Sequence, residues 1–335
     1  MSEAFAQLSR RVLPSSHPLA SDYNHAAIRL DDRPPLPREP DPSMTPYDPH
    51  QWTSHLFDIE GSMVREILGR VMACVVWSAV VVGLYQFGPD WFDSLAIAET
   101  AHALIGASMG LLLVFRTNAS YDRFWEGRKL WGGIVNESRN LARQSAVWFT
   151  ADGELARRVL WWTVAYAHST MHRLRGLADI GPAREQLPAA DVAEVLQSGH
   201  VPLAVARRLT ELITAARDRR LIDGHQLQAL DQNVQLLIDC CGACERIRST
   251  PLPFAYAVHL RRALIVYCFS LPLALVQKYG WETVPVTLMI AYILFGIEEI
   301  GVEIEDPFGS DVNDLPLEKI CATIEDNLRE IAESV

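Results

Sequence analysis

The sequence lacks every common catalytic signature: it contains no phosphate-binding glycine loop, no nucleophile elbow and no kinase motif set. Its 30 basic residues are outnumbered by 41 acidic ones and form no concentrated basic face. The six cysteines lack the spacing of a disulfide framework, and the one C-x₂-C pair, Cys241 and Cys244, offers too few ligands for zinc. These absences argue against an enzyme, a nucleic-acid partner and a disulfide scaffold, and they imply no bound cofactor.

Long apolar runs are also missing. The first apolar segment, Val71–Phe87, has seventeen residues without a charge, and three more have fifteen each: Ala101–Phe115, Ala263–Gln277 and Thr283–Ile297. Fifteen helical residues span about 22 Å, which is short of the ~30 Å hydrocarbon core of a bilayer. By hydropathy alone, these segments are either membrane spans or buried helices of a soluble protein.

Charge asymmetry favours the membrane. Between the first two segments lie Asp90, Asp93 and Glu99 without any lysine or arginine, whereas Arg65, Arg70, Arg116, Arg123, Arg261 and Arg262 crowd the opposite ends. This is the positive-inside pattern for four spans with both termini in the cytoplasm. We therefore expect a multi-pass protein of the inner (plasma) membrane, in contact with lipid, with spans at about 67–87, 98–116, 262–279 and 283–299.

The rest of the chain divides by composition. Residues 1–50 contain nine of the nineteen prolines and predict an extended or disordered arm. Residues 51–335 then form one domain, in which 117–261 is a cytosolic region and 300–335 an acidic C-terminal segment. Amphipathic helices of the cytosolic region are predicted at Ile134–Phe149, Glu154–Leu174, Pro202–Arg219 and His225–Ile247. No run alternates strongly enough for a strand, so the predicted fold class is all-α.

Three sequence blocks resemble one family in order and spacing. They are the blocks at 115–132 (FRTNASYDRFWEGRKLWG), 244–256 (CERIRSTPLPFAY) and 305–315 (EDPFGSDVNDL). All three are similar to the motifs of prokaryotic bestrophins, and the resemblance runs from about residue 52 to the end. It implies a homopentamer that passively conducts small inorganic ions through one axial pore.

The resemblance also implies roles for individual residues. The narrow neck of the pore falls on Ala107, Leu111 and Phe115, and a second constriction, the aperture, falls on Leu252. In animal bestrophins the acidic block forms a calcium clasp, which places a Ca²⁺ site at Asp306, Asp311 and Asp314.

The same residues can be interpreted without the family. The neck residues are four apart and share one helical face, which fits an apolar pore lining and also packing against another helix. Pro251 and Pro253 break the helix around Leu252, as a pore constriction or a plain joint would. The aspartates form either a calcium site or a solvated acidic turn.

Ion selectivity is predicted from charge. From Glu298 to the end there are twelve acidic and two basic residues, a net charge of −10. If Glu298, Glu299 and Glu303 line an inner vestibule, their field attracts cations. We therefore expect a channel for monovalent ions with a slight cation preference. An anion (chloride) channel is the alternative, followed by a non-conducting membrane regulator or scaffold.

Overall fold

The computed structural model describes residues 63–335, and every regular element in that part of the chain is helical. The predicted arm at 1–50 lies outside the described residues. The helices are α1 Val64–Phe87, α2 Glu99–Trp148, α3 Gly153–Leu174, α4 Ala189–Leu196, α5 Val201–Asp218, α6 Gly224–Ser249, α7 Phe254–Tyr279, α8 Thr283–Glu303 and α9 Leu317–Glu333. Short 3₁₀ turns lie at Asp90–Leu95, Gly181–Glu185 and Gly280–Glu282.

Helix α2 is the longest element. It runs for 50 residues without interruption, which corresponds to about 75 Å at 1.5 Å per residue. The sequence between Glu99 and Trp148 contains no proline, so nothing in it removes a backbone donor or forces a kink. The predicted span at 98–116 and the amphipathic helix predicted to begin at Ile134 are therefore parts of one rod.

Three helical stretches of the described residues are long and apolar enough to cross a membrane. They are Val64–Phe87, Glu99–Trp148 and Phe254–Glu303. In the most apolar 18 residues of each stretch, only 22% to 33% of the residues are buried within the chain. The last stretch joins α7 and α8 through the turn at Gly280–Glu282. The four predicted spans thus lie within three stretches whose apolar faces are left for lipid or for other copies.

One apolar core holds the four membrane-type helices together. Buried side chains from α1, α2, α7 and α8 meet in it, and they include Ile67, Met109, Leu113, Leu264 and Phe295. The opposite faces of these helices carry exposed apolar side chains such as Leu68 and Val76. The buried stripe fixes how the helices pack, while the exposed stripe suits a lipid environment.

A second, larger core lies among α2, α3, α5, α6 and α9. Helix α3 is its centre, because all ten residues from Trp162 to Met171 are buried. The hydroxyl of Tyr166 donates to the carbonyl oxygen of Leu237 at 2.7 Å, which satisfies the one polar atom of a fully buried ring. A helix that is buried on every side must be surrounded by other helices, and here α2, α6, α5 and α9 surround it.

Helix α9 closes this core with one apolar stripe. Its buried residues are Leu317, Cys321, Ile324, Leu328 and Ala332, at the three- and four-residue spacing of an amphipathic helix. The acidic side chains that dominate the composition of this segment occupy the other face. The acidic C-terminal segment is therefore partly an integral core helix.

We expect Leu237→Ala to lower the stability of the larger core by about 2–5 kcal/mol, because Leu237 is fully buried and its truncation leaves a cavity. Leu203→Ala is the matched control, since Leu203 is 53% exposed in the single chain. Thermal unfolding midpoints of the two variants in detergent test this. Equal midpoints for L237A and wild type would contradict the assignment of Leu237 to the core.

Candidate ion pathway

The predicted neck residues Ala107, Leu111 and Phe115 form one exposed stripe on α2. Leu111 is 56% exposed and Phe115 is 58% exposed, whereas Met109 and Leu113 on the opposite face are buried in the core. No described helix of the same chain covers the stripe, so its apolar surface is available for a pore or for another copy. Packing within the chain, the other interpretation of this pattern, is not what the described residues show.

A cluster of six charges, of which Arg116, Glu298 and Glu299 are buried, lies directly after the stripe. Its members come from α1, α2, α7, α8 and the residues after α8, and comprise three cations and three anions: Arg70, Arg116, Arg261, Glu298, Glu299 and Glu305. Arg116, at 1% exposed, and Glu298, at 2%, form its centre. A buried charge costs free energy unless an opposite charge lies nearby. The equal numbers of cations and anions therefore allow these helices to pack together here.

The contacts of the charge cluster are specific. Arg261 Nε donates to Glu298 Oε1 at 2.9 Å, and Arg70 Nη1 donates to Glu299 Oε2 at 2.7 Å. Arg116 Nη2 lies 3.7 Å from Glu298 Oε1 and 3.6 Å from Glu305 Oε2. Arg116 thus links α2 both to α8 and to the segment after it.

Room for the buried guanidinium depends on a glycine. A Cβ atom at Gly301 would lie 3.3 Å from Arg116 Nε, so a larger residue on α8 would press against the arginine. Arg116 Nε and Nη1 have no hydrogen-bond partner among the described residues. The ion pairs therefore hold this side chain mainly through Nη2.

The three carboxylates of the predicted vestibule differ in their surroundings. Glu298 and Glu299 are buried, at 2% and 9% exposure, because arginines from other helices pair with them. Glu303 accepts a hydrogen bond from Asn313 Nδ2 at 2.6 Å. Because Glu298 and Glu299 are buried and paired with arginines, they do not support the predicted cation preference.

The turn that contains Leu252 is fastened by two residues from elsewhere in the chain. The amide of Leu252 donates to Glu305 Oε1 at 3.1 Å. Arg123, from α2, donates to the carbonyl oxygens of Thr250, Ile247 (2.7 Å) and Glu305 (3.0 Å). Leu252 itself is partly exposed. The turn is thus held by polar contacts rather than by an apolar core.

The acidic block after α8 folds back on itself and on α2. Phe308 is buried against Gly127, where an added Cβ would lie 3.0 Å from the ring. Asp314 Oδ2 accepts from the amide of Asp311 at 2.7 Å, and Asp306 Oδ1 accepts from the amide of Phe308 at 3.3 Å. The segment is therefore an ordered, docked turn.

Within residues 63–335, no three His, Cys, Asp or Glu side chains come together as metal ligands. Asp314 already accepts a backbone hydrogen bond, and burial together with the charges of Asp311 and Asp306 raises its pKa to about 6. The predicted calcium site at Asp306, Asp311 and Asp314 therefore stays a prediction, for which these residues supply no complete ligand set.

The chain matches a known protein family over most of its length. The family model described as bacterial/fungal bestrophin protein matches residues 44–330, which is most of the chain. The chain belongs to the bestrophin family. The resemblance of the three sequence blocks is thereby confirmed, and so is an all-helical membrane fold of the bestrophin type.

Relatives and solved structures agree with the family. Proteins named voltage-dependent anion channel-forming protein from Nostoc and from Synechocystis are 38% and 39% identical over 84% and 85% of this chain, covering 91% and 93% of their own lengths. A crystal structure of a bacterial bestrophin homologue from Klebsiella pneumoniae matches with a TM-score of 0.75 and 32% identity, over 80% of this chain and 98% of that one.

The contact between Glu305 and the turn around Leu252 was not predicted from the sequence, although the acidic block that Glu305 opens and the proline turn were both identified there. A signal was present, because a turn between two prolines leaves Leu252 as the only amide donor between them, and a buried donor needs an acceptor. The identity of that acceptor required the fold.

We expect Glu298→Gln to destabilise the protein by about 3–5 kcal/mol, because it leaves the buried Arg116 short of a counter-charge. The matched control is Glu99→Gln, which removes the exposed partner of Lys278 and should leave the unfolding midpoint unchanged. Thermal unfolding in detergent measures both variants. Similar midpoints for E298Q and E99Q would show that Arg116 does not depend on Glu298.

The stability of the acidic block should depend on pH through Asp314. Its pKa is about 6 in the folded protein against an ordinary 3.8, so the folded state binds this proton more tightly. Ionisation of Asp314 therefore destabilises the fold above about pH 6, and this loss disappears as the pH falls towards 4. The unfolding midpoint of wild type should rise relative to Asp314→Asn between pH 7.5 and pH 5. Parallel curves would refute the prediction.

Proposed function

We propose that this chain forms a homo-oligomeric membrane channel that passively conducts small monovalent anions, with the stripe Ala107, Leu111 and Phe115 lining its neck. The observation that carries the proposal is the relationship to proteins named anion channel-forming, which extends over 84% to 85% of the chain. No chemical step is required of such a protein, so the absence of catalytic motifs from the sequence fits the proposal.

The exposed stripe supports assembly of several copies. One helix cannot enclose a pore, and the apolar stripe on α2 is uncovered in the single chain. Copies arranged around an axis would bring their stripes together into a ring, where an apolar constriction can control ion passage by dewetting. We propose five copies in the inner membrane with cytoplasmic termini, as the family resemblance and the charge asymmetry imply.

Anion selectivity is favoured over the cation preference predicted from charge counts. Glu298 and Glu299 are paired with arginines and buried, which removes two of the three carboxylates from any aqueous vestibule. The names of the relatives point the same way. The acidic composition of the C-terminal segment therefore gives no indication of which ion passes.

The proposal is tested by recording currents from purified protein in planar bilayers under a KCl gradient. A reversal potential close to that of chloride is the expected result. A reversal potential near that of potassium would establish a cation channel instead, and well-folded oligomers that pass no current under any applied voltage would overturn the channel itself.

We expect Leu111→Ala and Phe115→Ala each to raise single-channel conductance, because a smaller side chain widens the ring and lowers the barrier to hydrated ions. Leu288→Ala is the control: Leu288 is 43% exposed on α8, a helix that carries none of the three stripe residues. Oligomers of all three variants are first compared with wild type by size-exclusion chromatography. Unchanged conductance in both neck variants would refute the placement of the pore along this stripe.

A further inference from the structure

The turn at 250–253 has few attachments of its own. It joins α6, which ends at Ser249, to α7, which begins at Phe254. Pro251 and Pro253 have no amide hydrogen, and the amide of Thr250 is used by the carbonyl oxygen of Arg246 at 3.1 Å. The amide of Leu252 is thus the one donor of this turn that can reach outside α6, and it donates to Glu305.

The same carboxylate reaches the neck helix. While Glu305 Oε1 accepts from Leu252, Oε2 lies 3.6 Å from Arg116 Nη2, and Arg116 directly follows Phe115 in the neck stripe. The two oxygens of one side chain therefore connect the turn at 250–253, called the aperture turn because it contains Leu252, to the end of the neck stripe. The Glu305 side chain is 20% exposed, so solvent screens these contacts only in part.

The backbone of Glu305 is held by α2 as well. Its carbonyl oxygen accepts from Arg123 Nε at 3.0 Å, and Arg123 also donates to the turn through the carbonyl of Thr250. Arg116 and Arg123 are seven residues apart and therefore lie on one face of α2, two turns from each other. Glu305 thus contacts α2 at two points, Arg116 and Arg123. Its hydrogen bond to the Leu252 amide then fixes the position of Leu252 relative to α2.

We propose that Glu305 is a positioning residue that ties the aperture turn to the neck helix, so that Leu252 is held at the pore axis in register with α2. The inference rests on the proposed function, because a register between two constrictions matters only if both lie on an ion pathway. Glu305 does not itself face the ion. It acts through the amide of Leu252 and the guanidinium of Arg116.

The proposal predicts the exchange rate of one amide. Glu305→Ala removes the acceptor of the Leu252 amide, so hydrogen–deuterium exchange at that amide should accelerate on the order of tenfold, since charge-assisted hydrogen bonds are the stronger kind. Glu305→Gln keeps an acceptor oxygen but loses the charge, and should accelerate exchange less. The control is Glu330→Gln, an equal loss of charge on the exposed face of α9. Unchanged exchange in E305A would overturn the proposal.

The effect of Glu305 on ion selectivity is tested by measuring reversal potentials in a KCl gradient. E305A should shift the ratio of anion to cation permeability away from that of wild type, whereas E330Q should not. In a Leu252→Ala background, E305A should cause no further shift, because residues that act as one unit are not additive. A shift of equal size in both backgrounds, or none in wild type, would overturn the inference.

The two proposals fail in different ways. Wild-type oligomers without current overturn the proposed channel function, whereas wild-type currents that E305A leaves unchanged overturn only the positioning role. If E305A does not assemble, E305Q decides by the same two readouts, because it preserves size and acceptor. An E305Q protein with wild-type amide exchange and a wild-type reversal potential would then refute the link.

Discussion

The buried guanidinium of Arg116 limits how the helices of this protein can pack. A cation that is 1% exposed must be neutralised nearby, and the neutralising carboxylates, Glu298 and Glu305, come from the far end of the chain. Glu298 also forms an ion pair with Arg261, and Glu299 forms one with Arg70. Four membrane-type helices are thereby fixed to one another at a single level, directly after the apolar stripe along α2, and Glu305 of the same cluster also accepts from the amide of Leu252.

Features that depend on local periodicity could be predicted from the sequence. A helix expected at Glu154–Leu174 is observed as Gly153–Leu174, because its apolar residues recur at helical spacing. The continuity of α2 was missed, since a change from apolar to polar composition near residue 116 looks like a boundary although the backbone remains helical. Helix α9 was not predicted, because its acidic composition is typical of a solvated segment even though its apolar residues recur at helical spacing.

The partners of charged side chains could not be predicted. Arg70 and Glu299 are 229 positions apart, and nothing in the sequence near Glu299 shows that an arginine lies within hydrogen-bond distance. Composition alone gave a water-facing acidic vestibule, whereas the fold buries and neutralises two of those carboxylates. The three sequence blocks were more informative, because each carries residues that the fold uses: Arg116 and Arg123, Leu252, and Glu305.

The unbroken length of α2 has a mechanical consequence. A helix of 50 residues is about 75 Å long, more than twice the ~30 Å thickness of a hydrocarbon core. If such a rod pivots at the level of Arg116, a tilt of about 5° moves a point 40 Å away by roughly 3–4 Å and moves Ala107, about 14 Å away on the other side of the pivot, by roughly 1 Å. In the proposed channel, α2 would therefore act as a lever that reduces a displacement of its distal end, among the helices of the larger core, to a smaller change in the diameter of the neck.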